Sequence, residues 1–128
     1  MPIQNVWTRS FFATVILSMA LPSSAKNAVV GTGAPASCTE TTFNAALALV
    51  VNDNQGGTLT FNCGPDPDVI LLSSVKNLTG VVTIDGGGKM TLDGQDSTRL
   101  FNINPRANPV DPTIVTLQNI DLKALDTA

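Results

Sequence analysis

From Thr58 onward the chain is a succession of short apolar runs, each closed by turn residues, with no helical spacing between them. The runs are Thr58 to Phe61, Val69 to Leu72, Val81 to Ile84, Met90 to Leu92, Leu100 to Ile103, and Ile114 to Leu117 continuing through Ile120 and Leu122. Short β-branched and aromatic stretches bounded by Gly, Pro, Asn and Asp predict strands. Because no helix separates them, a βαβ sheet is excluded and an all-β stack of short strands is left.

One helix is expected ahead of these strands. Ser37 followed three residues later by Glu40 matches a capping box, in which each side chain satisfies an orphan N–H at a helix start. Phe43, Ala46, Leu47 and Val50 then fall at i, i+3, i+4 and i+7, a single apolar stripe. Asn52-Asp53-Asn54-Gln55-Gly56-Gly57 stops it. The stripe is expected to lie as a lid on a core rather than to serve as a binding face. Lys26 to Ala36 reads as an extended, glycine-containing lead-in. Its Gly31-Thr32-Gly33 lacks both a strong preceding strand and the Gly-Lys-Ser/Thr ending of a phosphate loop.

The N-terminus fixes the compartment expected for all of this. Arg9 precedes an apolar run from Phe11 to Leu21, Pro22 breaks it, and Ser23 and Ala25 occupy the −3 and −1 positions of a cut before Lys26. That order is a secretory signal peptide. A run of about eleven residues spans roughly half of a bilayer core that needs about twenty, so a transmembrane anchor is the weaker alternative. No later segment is long enough to span either, and no Cys at the cut points to a lipoprotein. Removal of residues 1–25 leaves one small domain of about one hundred residues, near the low end for a self-sufficient core. Cys38 and Cys63 are the chain's two cysteines, and in an oxidising compartment they are expected to form a disulfide.

Several functions are disfavoured by composition. The net charge is −3 with the charges scattered, so there is no cationic stripe for nucleic acid. The chain has no His and no Tyr, which removes the commonest general base and metal ligand together with the phenolic acids. A reactive thiol would have no His to activate it.

Phe61, Ile84, Ile103 and Leu122 recur about every nineteen to twenty-three residues, the period of one coil in a stacked repeat. Val82-Thr83-Ile84-Asp85-Gly86 and Met90-Thr91-Leu92-Asp93-Gly94 share one cadence, and Gly86-Gly87-Gly88 supplies a corner between them. With Thr58-Leu59-Thr60-Phe61-Asn62-Cys63-Gly64, Arg99-Leu100-Phe101-Asn102-Ile103 and Thr116-Leu117-Gln118-Asn119-Ile120-Asp121-Leu122, the chain resembles the N-terminal part of secreted right-handed parallel β-helix proteins. These are the pectate-lyase-like superfamily, including polymorphic outer membrane proteins and adhesin-like proteins. The resemblance spans roughly Val29 to Leu122. It implies an all-β solenoid whose first coil is sealed by the Ser37–Val51 helix, with Cys38 and Cys63 tying that cap to the end of the first coil. A β-sandwich is the competing architecture. The expected division is residues 1–25 as signal peptide, 26–57 as lead-in and capping helix, and 58–128 as first coils, incomplete at the C-terminus with more coils downstream.

Enzymes with that resemblance would need carboxylates, with Arg, Lys or calcium, on the outer face of the coils. The candidates are Asp85, Asp93, Asp96 and Asp121, with Lys89 and Arg99 near in sequence. Asp85 and Asp93 each precede Gly, where Asp ordinarily caps its own turn. Asp93-Gly94-Gln95-Asp96 offers hard oxygens but lacks the spacing of a calcium loop. Asn77-Leu78-Thr79 is a glycosylation sequon, and Asn102 and Asn119, within strands, suit a stacked Asn ladder inside a coil. The expectation is an exported or cell-surface structural, adhesin-like protein, lodged at the outer membrane in a Gram-negative host. It has no catalytic residue and no cofactor in this segment, and its partner is a carbohydrate or host-surface ligand. The alternative is the front of a polysaccharide lyase or glycoside hydrolase.

Overall fold

Along the chain run β1 (Ala28–Val30), α1 (Glu40–Val50), β2 (Gly57–Phe61), β3 (Asp68–Leu71), β4 (Lys76–Leu78), β5 (Val81–Asp93), β6 (Phe101–Ile103) and β7 (Ile114–Lys123). They belong to a computed structural model that describes residues 25–51, 55–105, 110 and 112–124. Residues 1–24, which carry most of the expected signal peptide, lie outside the described residues, as do residues 52–54 of the expected helix stop. Ala25 and Lys26, at the expected cut, are exposed and outside any helix or strand. Among the described residues no helix is long and apolar enough to cross a membrane.

Two parallel sheets organise the chain. In the larger, β1 pairs with β2, β2 with β5, and β5 with both β3 and β7, while β4 and β6 form a two-stranded sheet. The registers set Leu59 beside Ala28, Ile84 beside Leu59 and Leu117 beside Ile84. Apolar side chains of successive strands therefore stack on one face. Alternation decides which face is buried: Val82, Ile84, Met90 and Leu92 of β5 point into the core, with less buried Thr83, Asp85 and Thr91 between them. Ile70, Leu72, Leu78 and Leu100 complete the same core from the other strands and their turns.

α1 closes this core at the β1 end. All four residues of the expected stripe, Phe43, Ala46, Leu47 and Val50, are buried, and the Phe43 ring stacks on Phe61 with centroids 6.1 Å apart. The helix starts later than the capping box at Ser37 would place it. Pro35–Ser37 is a single 3-10 turn, and the N-cap is Thr39, whose hydroxyl accepts from the Thr42 N–H while Thr42 Oγ1 accepts from the Thr39 N–H. A reciprocal Thr–Thr box thus does what Ser37 and Glu40 were expected to do.

The all-β right-handed parallel β-helix is corrected by these elements: the protein is a small mixed α/β domain with an integral helix and two parallel sheets. Two residue-level causes account for the difference. β1 is only Ala28-Val29-Val30, too short and too near Gly31 and Gly33 to read as a strand, yet it pairs parallel with β2 across α1. That makes β1–α1–β2 the βαβ connection that the strand pattern had excluded. In addition, the Gly86-Gly87-Gly88 corner does not end a strand: β5 runs through it for 13 residues.

What the glycines form instead is a bulge. The β5–β7 register slips between Asp85 and Met90, so residues 86–89 face Asn119 alone. Gly87, Gly88 and Asn119 all take positive φ there. A Cβ on Gly86 would strike the Asn119 carbonyl and the Ile120 side chain, whereas a Cβ on Gly87 would meet open space. Gly86→Ala is therefore expected to lower stability by about 1–2 kcal/mol through overpacking against backbone. Gly87→Ala should lower it by about 1 kcal/mol through its positive φ. Urea unfolding of the two variants measures the difference.

Candidate functional site

The bulge gathers the first cluster of polar side chains. Asp85 Oδ1 accepts from the Gly87 N–H at 2.9 Å and from Asn119 Nδ2 at 3.2 Å, and Oδ2 accepts from Gln118 Nε2 at 2.8 Å. These donors, the Gly87 amide foremost, hold the carboxyl below the usual carboxylate range. The result is a fixed anion that staples the bulge, and a group held ionised this way is poorly suited to donate a proton. Asp85→Ala is expected to release the Gly87 amide, seen as faster hydrogen exchange at Gly87 with exchange in α1 unchanged.

The other carboxylate candidates go elsewhere. Asp93 Oδ1 accepts from the Gln95 N–H at 2.7 Å and its Oδ2 lies 3.5 Å from Lys123 Nζ. It caps the turn at Gly94, as its position before Gly suggested. Asp96 is exposed on that turn at positive φ, and Asp121 is exposed on β7 opposite Thr91. Lys89 and Arg99 are exposed on separate segments. The Asn ladder expected inside a coil is not what Asn102 makes: its Nδ2 donates to Asn77 Oδ1 at 2.9 Å across the β4–β6 register, a single rung on the exposed side of that pair. Asn119 joins Asp85 rather than that ladder.

Cys38 and Cys63 are joined in a disulfide with Cα atoms 5.7 Å apart. The bridge ties the residue before the Thr39 N-cap to the chain just beyond β2, and both cysteines are buried. Among the described residues, the one group of three ligand-bearing side chains that converges is Cys38, Cys63 and Asp68, with the ligand atoms within 4.8 Å of one another. In the oxidised protein its two sulfurs are already committed to each other.

Sequence reasoning missed an internal ion pair. Lys76 on β4 is 6% exposed, and its Nζ donates to Glu40 Oε1 at 2.5 Å and to Ser74 Oγ at 3.1 Å. Glu40, the first residue of α1, also accepts from the Ser73 N–H at 3.0 Å and the Ser73 hydroxyl at 2.8 Å. The Lys76 hydrogen bond leads in lowering the Glu40 pKa to about 2, against an opposing push from burial. Lys76 lies in a polar-looking tract, Ser73-Ser74-Val75-Lys76-Asn77, with nothing in its spacing to mark it as buried.

A groove of about 550 Å³ runs between β1 and the outer side of α1. Ala28, Ala45 and Ala46 form part of its floor, Val29 and Leu49 flank it at 58% exposure each, and Asn27, Thr32 and Thr39 add polar groups. None of its lining residues is ionisable. Sequence analysis had not anticipated it, because it depends on β1 being a strand. No family model, curated protein or solved structure matches the chain.

Proposed function

We propose that this protein is an exported structural or adhesive component of the cell surface that binds a neutral ligand, carbohydrate in class, without transforming it. The observation that carries the reading is the groove between β1 and α1. It offers apolar floor, flanking Val29 and Leu49, and amide and hydroxyl groups, yet no acid, base or thiol lines it. Such a mixture can hold a sugar face while leaving its Ser and Thr hydroxyls with no acid or base among the lining residues to activate them. Further support comes from the buried Cys38–Cys63 bridge, which suits an oxidising compartment, and from Asp85 and Asp93, both engaged in holding turns.

The test begins with cells producing the full chain. A mature product beginning at Lys26, accessible to protease on intact cells, is the expected result; retention in the cytoplasm overturns the export half. The exported protein is then applied to arrays of cell-wall and matrix polysaccharides. Binding that Val29→Asp and Leu49→Asp both abolish is expected, with the polysaccharide recovered intact. Release of unsaturated or newly reducing sugar ends would establish the lyase or hydrolase alternative instead.

A further inference from the structure

We propose that the outer edge of β7 is a self-association surface, on which a second copy of this chain pairs its own β7 antiparallel about a two-fold axis. β5 is flanked on both sides: β2 and β3 pair with one side of it and β7 with the other. β7 has β5 on one side, and among the described residues no strand pairs with its other side. The core is one layer short there. Val115, Leu117, Ile120 and Leu122 are in register with Val82, Ile84, Met90 and Leu92, all four of which are buried, yet the first three are half-buried and Leu122 is exposed. A strand of 10 residues is about 34 Å long, and an unpaired apolar edge of that length is a template for another chain.

The way β7 alternates specifies the occupant. The Ile114 N–H donates to the Gly80 carbonyl and the Lys123 carbonyl accepts from the Gly94 N–H, so the residues at both ends of β7 direct these backbone groups toward β5. Alternation from each end leaves the N–H and C=O of Val115 and Leu117, and of Ile120 and Leu122, pointing outward. The two halves meet at Asn119, whose positive φ and register slip shift the alternation by one residue. A straight strand laid along this edge would match one half and turn its wrong face to the other. A second β7 carries the same shift in the same place. Set antiparallel about an axis between Gln118 and Asn119, it puts Val115 opposite Leu122 and Leu117 opposite Ile120. Each pair then exchanges both N–H···O=C bonds and keeps its apolar side chains on the core side. No other antiparallel register pairs all four apolar residues with one another.

That register opposes no like charges. Asp121 faces Thr116, and Lys123 faces the exposed Ile114, along which its aliphatic stem can lie. A footprint about 34 Å long and roughly 10–15 Å deep buries on the order of 700–1,000 Å² over two copies, short of the ~1,200 Å² of a standard interface, so the dimer is reversible with a micromolar dissociation constant. A two-fold contact uses the same patch on both copies and closes after two. β1, with its groove against α1, lies at the opposite end of the sheet order, so pairing through β7 leaves both grooves uncovered.

The experiment uses the protein as cells making the full chain produce it, with its disulfide intact. Sedimentation equilibrium is run from about 1 to about 300 µM, a range that spans such a constant. Expected are a monomer–dimer equilibrium with no larger species, and amide hydrogen exchange at Val115, Leu117, Ile120 and Leu122 that slows as concentration rises. Leu122→Lys sets a charge among the apolar pairs at a position that is already exposed in one copy, and should weaken the dimer at least about tenfold with the circular dichroism spectrum unchanged. Thr116→Cys together with Asp121→Cys tests the register without relying on that variant. The two positions face each other across copies and should form a covalent dimer on air oxidation, whereas within one strand they stand more than about 10 Å apart, beyond the ~7 Å reach of a disulfide. A monomer throughout the range overturns the proposal, whether its edge amides exchange freely or are already protected by another segment of the same chain. So does open-ended growth, and so does a dimer that Leu122→Lys leaves intact and the cysteine pair fails to trap, which would place the contact on another face.

Discussion

Replacing both cysteines, Cys38→Ala with Cys63→Ala, is expected to lower the stability of the domain by about 3.5 kcal/mol, from the loop-closure entropy that a bridge spanning 25 residues removes from the unfolded chain. For a domain of this size that corresponds to a fall in Tm of roughly 15–25 °C. The effect is large because the bridge closes the β1–α1–β2 unit, whose first strand has three residues and could not hold the helix in place by hydrogen bonds alone. Urea unfolding followed by circular dichroism gives the measurement. The variant should also show a steeper dependence on urea, since an unbridged unfolded chain exposes more surface. A loss below about 1 kcal/mol would mean that the native contacts of α1, not the bridge, keep the helix on the sheet.

That the bridge was legible from sequence while the strand it supports was not has a physical reason. Two cysteines in a chain expected to be exported have one pairing available, so nothing about the fold was needed to expect it. β1 has the opposite character. Ala28-Val29-Val30 has no run length and no alternation long enough to see, and it becomes a strand because Leu59, Thr60 and Phe61 present an edge for it to join. Tertiary pairing overrides weak local preference there. The α1 stripe lies between these cases: Phe43, Ala46, Leu47 and Val50 were visible as a face because helical period repeats within the element itself. Its cap was misplaced by two residues, because Ser37, Thr39 and Thr42 all lie within one turn of a helix start and only the turn at Pro35 decides among them.

The candidate site divides the same way. Asp before Gly predicted turn-capping at Asp85 and Asp93, and both carboxylates accept from the backbone N–H two residues on. The reach of Asp85 to Gln118 and Asn119 could not be read, since it follows from a register slip between strands more than thirty residues apart in sequence. Nor could the groove, which exists because β1 and α1 lie side by side. Local chemistry was thus readable and long-range juxtaposition was not. The mixed α/β class turned on that kind of juxtaposition, since three residues of β1 convert a helix followed by strands into a parallel crossover.

Glu40→Gln should be the most damaging of the single charge changes, lowering stability by about 2–3 kcal/mol. Removing one member of a buried pair costs about 3–5 kcal/mol when the survivor is left uncompensated, and Glu40 retains some contact with water, which trims the figure. The survivor here is Lys76, almost fully enclosed, with Ser74 Oγ as its remaining close partner. Lys76→Met should do less harm: it takes away the cation, and Glu40 keeps both Ser73 donors and its favourable place at the N-terminus of α1. The pair also fixes the pH response. The folded pKa of Glu40 is lowered to about 2 from an ordinary 4.5, so the folded state holds fewer protons than the unfolded chain between those values. The stabilisation is complete above about pH 4.5, declines as pH falls, and is gone below about pH 2. Asp85 adds a contribution of the same sign, so the two must be separated by variants. Urea midpoints between pH 2 and pH 6 should fall steeply with acid in the wild type and less steeply in Glu40→Gln, with Asp85→Asn retaining the Glu40 part. If the wild-type and Glu40→Gln profiles run parallel, the Lys76–Glu40 bond contributes no proton linkage, and the buried lysine must draw its compensation from Ser74 and its other surroundings.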